Sequence, residues 1–211
     1  MRVQSRHGLI AYEREFVMKK RWIAAAALAM LSVQVMAQES PWLVRARAVH
    51  LGSANTDTTG LGLNINNKDI PEVDISYFIS PNVAAELILT VPQKHTLKTG
   101  TGAVVGTLKH LPPTLTLQYH FTGVSGYKPY VGAGVNFTQF SGVELGTYSV
   151  GKTSTGGALQ LGVDFPIDKK WSFNIDVKKV YIGTTVYANG VAAGQFKVDP
   201  LLVGAGLGYR F

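Results

Sequence analysis

Residues 199–211 read DPLLVGAGLGYRF. Counting back from the last residue, Phe211, Tyr209, Leu207, Ala205, Val203 and Leu201 share one face of a strand, because successive side chains point to opposite sides. Arg210, Gly208, Gly206, Gly204, Leu202 and Pro200 share the other. One face is aromatic and aliphatic, and the other is mostly glycine with one arginine. Such a strand fits a soluble sandwich, or the closing seam of a membrane barrel with its apolar face in lipid.

Composition narrows the choice. Of 211 residues, 46% are hydrophobic and 16% charged, against about 25% charged in an average chain. One domain is the expectation at this length. There is no cysteine, which excludes a disulfide framework and any thiolate metal site. The formal charge is +7, but the first 37 residues hold six Lys or Arg and two Glu, and the remaining 174 carry only +3. With no basic cluster interleaved with aromatics, nucleic acid is not an expected partner.

MKKRWIAAAALAMLSVQVMAQ (18–38) has the layout of an export signal. Lys19, Lys20 and Arg21 precede a short apolar core, and Val35-Met36-Ala37 supplies a cleavage site. The expectation is a mis-assigned upstream extension over 1–17, a signal peptide over 18–37 and a barrel over 38–211. After Gln38 no apolar stretch is long enough for a spanning helix, so a closed barrel is the remaining way into a bilayer.

Alternation recurs in segments of about ten residues, as a membrane barrel requires. The other seven segments are 42–51, 72–79, 82–91, 114–121, 130–138, 157–165 and 171–178. The first places Trp42, Val44, Ala46 and Ala48 opposite Arg45 and Arg47; the seventh places Trp171, Phe173, Ile175 and Val177 opposite Asn174, Asp176 and Lys178. With the terminal segment they make eight, joined alternately by short turns (Ser80-Pro81, 123–126, 166–170) and long loops (52–71, 92–113, 139–156, 183–198). The expected fold is all-β: an eight-stranded antiparallel transmembrane barrel with short periplasmic turns and long extracellular loops. The alternative is a soluble eight-stranded calyx with the apolar face inward. Its outside would need lysines, and the polar faces here are rich in glycine instead. On the barrel reading Arg45, Arg47, Glu86, Asp164, Asp176 and Arg210 form a lumen charge network, since unpaired charges there are costly. Lys179 falls on the lipid face by strict counting, and either a bulge or snorkelling accounts for it.

HLPPTLTLQYHF (110–121), PYVGAGVNFTQF (129–140), LGVDFPIDKKWSFNIDVK (161–178) and VDPLLVGAGLGYRF (198–211) closely resemble the OmpW family of Gram-negative outer-membrane proteins, AlkL-like members included. The resemblance implies an outer-membrane channel for passive uptake of small hydrophobic molecules, with a loop-formed apolar funnel and a lateral exit into lipid. By position, the family's constriction falls on Ile88 and Lys178, although the lysine departs from the expected aromatic. Leu89 to Pro92 and His110 to Pro113 would build the mouth, with Pro92, Pro112 and Pro113 fixing the backbone or merely ending strands. Tyr209 and Phe211 resemble the signal read by the barrel-assembly machinery. The partners implied are outer-membrane lipid, small apolar ligands and that machinery; the oligomeric state is open. The alternative function is a non-transporting structural, receptor or adhesin barrel.

Two apparent motifs fail on context. GTYSVGKT (146–153) matches the phosphate-loop pattern but has no helical pattern after it. GAGLG (204–208) is not a dinucleotide fingerprint, because the chain ends there. His50, His95, His110 and His120 lack metal-ligand spacing, and His95 with His110 would supply only two ligands. No catalytic residues, metal or cofactor are expected.

Overall fold

The structure is a computed structural model that describes residues 40–211. The expected extension over 1–17 and signal peptide over 18–37 lie outside the described residues. The strands in chain order are β1 (Trp42–Gly52), β2 (Thr56–Asp57), β3 (Asn64–Ile65), β4 (Lys68–Phe78), β5 (Val83–Thr90), β6 (Gln93–Lys98), β7 (Val104–Leu111), β8 (Thr114–His120), β9 (Lys128–Glu144), β10 (Tyr148–Val150), β11 (Thr153–Pro166), β12 (Trp171–Val180), β13 (Gly183–Ala188), β14 (Val191–Lys197) and β15 (Leu201–Arg210).

Eight of them close a barrel in the order β11-β12-β15-β1-β4-β5-β8-β9, with β9 pairing back onto β11. Every pairing in that wall is antiparallel. The terminal strand pairs with the first from Leu43↔Arg210 to Gly52↔Leu201, so the stretch with the bare face is the seam. Glycines on the inward faces make room: on the terminal strand a Cβ on Gly208 would lie 3.3 Å from Arg45 Cγ, and on β11 one on Gly162 would lie 2.3 Å from the Tyr130 hydroxyl.

The outward face is Val, Leu, Ile and Phe at alternate positions, with Leu117 56% and Leu161 60% exposed. No free-standing soluble calyx presents such a surface; hydrocarbon does not penalise it. Aromatic pairs ring the end where the chain enters: Trp42–Tyr77 at 4.8 Å, Trp171–Tyr209 at 4.9 Å and Tyr209–Phe211 at 5.1 Å between centroids. Amphipathic rings settle at the interface level.

The long connections are more regular than the sequence suggests. β7, β6 and β3 extend the sheet from the upper part of β9, and β10, β13, β14 and β2 make a second, four-stranded sheet. Alternation continues there with its sign inverted. In β1 the lumen-facing residues run Arg45, Arg47, Val49, Leu51, while the outer face ends on His50. In β6 and β7, His95, Leu97, Leu108 and His110 are buried, and Lys94, Lys98 and Lys109 are exposed. Outside the bilayer the solvent is water, so the apolar face must turn inward. Leu51, Leu97, Leu108, Phe140, Ile182 and Phe196 belong to the resulting core.

GTYSVGKT spans β10 and the turn before β11, and no helix occurs among the described residues, so the phosphate-loop geometry is absent. Lys179 keeps register with Leu159 and Leu201 without a shift, which removes the bulge reading. It stays outward and reaches its ammonium to the Asp199 carbonyl, as a snorkelling lysine does.

Candidate channel and lumen plug

The lower lumen is filled by ions. Arg45 and Arg47 lie two apart on β1 and therefore share the inward face. Arg45 grips Asp164 with two bonds of 3.1 and 2.7 Å, and also reaches Asp74 at 3.3 Å, Ser76 at 3.0 Å and Glu86 at 3.3 Å. Arg47 bonds Glu72 at 3.0 Å, Glu86 at 3.2 Å and Asn174 at 2.9 Å, pairs with Asp176 at 3.4 Å and also contacts Asp74. Lys178 bonds Glu72 at 2.8 Å and contacts Asp176. Neutral groups take the remaining lone pairs: Gln118 and Gln160 donate to Glu86 at 2.7 and 2.9 Å, and Tyr130 donates to Asp176 at 2.9 Å. Buried charge costs several kcal/mol per ion unless geometry and hydrogen bonds repay it. Here each guanidinium faces several carboxylates, and Arg45, Arg47, Asp74, Glu86 and Asp176 have no exposed side-chain surface.

Arg210 sits at the rim instead, bonded to the Ser40 carbonyl at 2.8 Å and lying 4.2 Å over the Phe78 ring. It is paired with Leu43, one inward position below Arg45, which accounts for the separation. Glu72 and Asp74 were absent from the expected network. They stand directly across from Arg47 and Arg45 in the β1–β4 register, and opposite charges in facing positions attract. Only the register shows this, and the long connection between the two strands conceals it.

Above the plug lies a recess whose space, counted together with the open solvent at its mouth, comes to about 410 Å³. Glu72 and Lys178 line it beside Ile88, and Leu51, Ile70 and Ile182 supply aliphatic wall. Ile88 and Lys178 are 5% and 1% exposed, so aliphatic and ionic surfaces meet at this level. Of the other expected mouth residues, Pro112 lines the cavity, and Leu89, Pro92 and Pro113 do not. Leu89 is 41% exposed on the outward face because it has the opposite parity to Ile88. Pro92 is exposed where β5 ends, and Pro113 is half-buried with its carbonyl accepting from Asn136 at 3.2 Å.

The wall changes character near the cavity. β5 pairs with β4 from Glu72↔Thr90 downward, whereas residues 68–71 of β4 pair with β1. Pro71 lies in that stretch and has no N–H to offer a further strand. His95 and His110, which flank the second long connection in sequence, meet at 3.1 Å between their Nε2 atoms. No group of three metal-ligating side chains accompanies them among the described residues.

A closed antiparallel barrel with a lipid-compatible belt, an interfacial aromatic ring and an ion-paired interior is a transmembrane barrel of the Gram-negative outer membrane. The comparisons with known proteins agree. A family model described as OmpW family matches residues 31–211, and the chain belongs to that family. Outer-membrane protein y4mB of Sinorhizobium fredii is 42% identical over 84% of this chain and 82% of its own. Outer membrane protein W of Escherichia coli is 32% identical over 92% of this chain and 100% of its own. A dibenzothiophene metabolism operon protein of Pseudomonas aeruginosa is 27% identical over 86% of this chain and 93% of its own. Among solved structures, the outer membrane protein OprG of Pseudomonas aeruginosa superposes with a TM-score of 0.71 at 24% identity, covering 82% of this chain and 97% of that one, which shows the shared fold. Both of the first two relatives and the solved structure are named as outer-membrane proteins.

Proposed function

We propose that the protein is a passive channel for small hydrophobic molecules. An apolar solute partitions into the chamber formed by the outer strands, meets the ionic plug below Ile88, and leaves sideways into the outer leaflet. The observation that carries this reading is the change of lumen chemistry along one face, from Leu51 and Val49 to Arg47 and Arg45. A charged, desolvated floor rejects an apolar solute, so the low-energy path turns aside. The edge of β4 at residues 68–71, near Pro92, is the proposed exit, because a wall that lacks a strand pair parts without breaking a full ladder. The operon of the Pseudomonas aeruginosa relative is named for dibenzothiophene metabolism, which fits an aromatic hydrocarbon-like cargo. Tyr209 and Phe211 are proposed as the signal that delivers the barrel to its assembly machinery.

Uptake of octane by cells with and without the gene tests the reading. Ile88→Trp should cut the gene-dependent uptake to near background by filling the chamber floor. Uptake indifferent to both deletion and Ile88→Trp would favour the non-transporting receptor or adhesin barrel.

A further inference from the structure

The cavity wall holds one polar group that the protein does not satisfy. His110 lines the cavity and is fully buried, and its Nδ1 is the buried side-chain polar atom without a hydrogen-bond partner among the described residues. Leaving such an atom unpaired costs free energy, so its persistence asks for a use.

The neighbours determine what that nitrogen offers. β6 and β7 lie outside the hydrocarbon, since their outward residues include Lys94, Lys98 and Lys109. Burial, with the nearby Lys68 cation, lowers the pKa of His95; burial, His95 and Lys68 push His110 down to about 3. Both rings are therefore neutral at ordinary pH, and each carries one N–H. His95 Nδ1 is 3.0 Å from the Asn66 carbonyl, which can only accept, so the His95 proton is on Nδ1. His95 Nε2 is then bare and must accept from His110 Nε2–H across 3.1 Å. That leaves His110 Nδ1 with a lone pair and no proton. The Asn66–His95 relay thus leaves a bare hydrogen-bond acceptor on a residue of the cavity wall, where Leu51, Ile70, Ile88 and Ile182 supply the aliphatic part and Glu72, Lys178, Thr90 and Thr114 the polar part.

We propose that the chamber selects hydroxylated apolar molecules, alkanols or phenols, whose O–H donates to His110 Nδ1 while the hydrocarbon body lies against Ile88 and its aliphatic neighbours. The inference rests on the channel reading and narrows its cargo. Ethers and plain alkanes fit the same space but have no donor. A site with a buried polar atom discriminates against analogues that leave it unpaired.

The test uses the whole protein, isotope-labelled, in phosphatidylcholine nanodiscs. The probes are 1-octanol and its isomer heptyl methyl ether, which has an acceptor oxygen and no O–H. The Ile88 methyl resonances report occupancy, and the His110 Nδ1 nitrogen resonance reports the hydrogen bond. Octanol should move both and bind about tenfold tighter, the worth of one satisfied buried acceptor. The ether should move Ile88 alone. His110→Phe should abolish the preference and keep the ether affinity. If that variant fails to fold, the wild-type nitrogen signal decides alone. Equal binding of both probes with His110 Nδ1 unmoved overturns this inference and leaves the channel reading standing. Ile88 undisturbed by either probe overturns both.

Discussion

Replacing Arg45 with methionine keeps most of the stem and deletes the guanidinium from the centre of the plug. Asp74 and Glu86 retain Arg47, but Asp164 loses both of its guanidinium bonds and keeps the Asn174 amide at 2.9 Å. A carboxylate only 6% exposed is then buried without a countercharge. Removing one partner of a buried ion pair costs about 3–5 kcal/mol. With a urea slope of about 1–3 kcal/mol per molar, the unfolding midpoint should fall by roughly 2 M. The assay is equilibrium urea unfolding in phospholipid vesicles, followed by tryptophan fluorescence. Arg45→Met combined with Asp164→Asn removes the orphan as well and should recover about half of the loss, since the coupling belongs to the pair. A cost for Arg45→Met below about 1 kcal/mol, where exposed pairs fall, or a double variant as unstable as the two single losses added, would refute the account of the plug.

Gly162→Ala places a methyl against the Tyr130 ring, which Asp176 and Asn174 hold at 2.9 and 3.1 Å; overpacking of this kind should cost about 1–3 kcal/mol in the same unfolding assay. In the turn before β12 the Trp171 and Lys170 amides hold the Asp168 carboxyl below the usual carboxylate range. Its contribution is complete above the ordinary carboxylate pKa and is lost as pH falls through the lowered one, so the Lys170 and Trp171 amide resonances should titrate in that acid window and be flat in Asp168→Asn. Phe211→Ala should reduce the folded yield in cells while leaving refolding of purified protein into vesicles unchanged, because the expected role is delivery and not packing.

The barrel was legible because lipid on one side and a narrow lumen on the other impose a period of two over every wall strand. Charge pairing was legible only by face. Arg45 and Glu86 read as inward residues, but that Arg45 faces Asp74 depends on the β1–β4 register, hidden by a long connection. Arg210 was grouped with the acids from its parity, and its depth one inward position below Arg45 was not visible. The outer strands look like loops in the sequence because their alternation is inverted and diluted by Gly, Thr and Asn. Looking for apolar residues facing inward at Leu97, Leu108 and Phe140 would have found them. Leu89 and Pro92 were placed at the mouth by closeness in the chain, whereas adjacent strand residues face opposite ways.

The inversion of polarity along single strands has a consequence for alignment. A slip of two residues preserves parity everywhere, so neither zone taken alone would object to it. At the boundary it would lift Arg47 to the level of Val49, into the greasy chamber, or sink Val49 among the carboxylates. The junction between the two solvents therefore acts as a vernier mark, setting how far each strand slides past its neighbours and how deep the cylinder sits in its membrane.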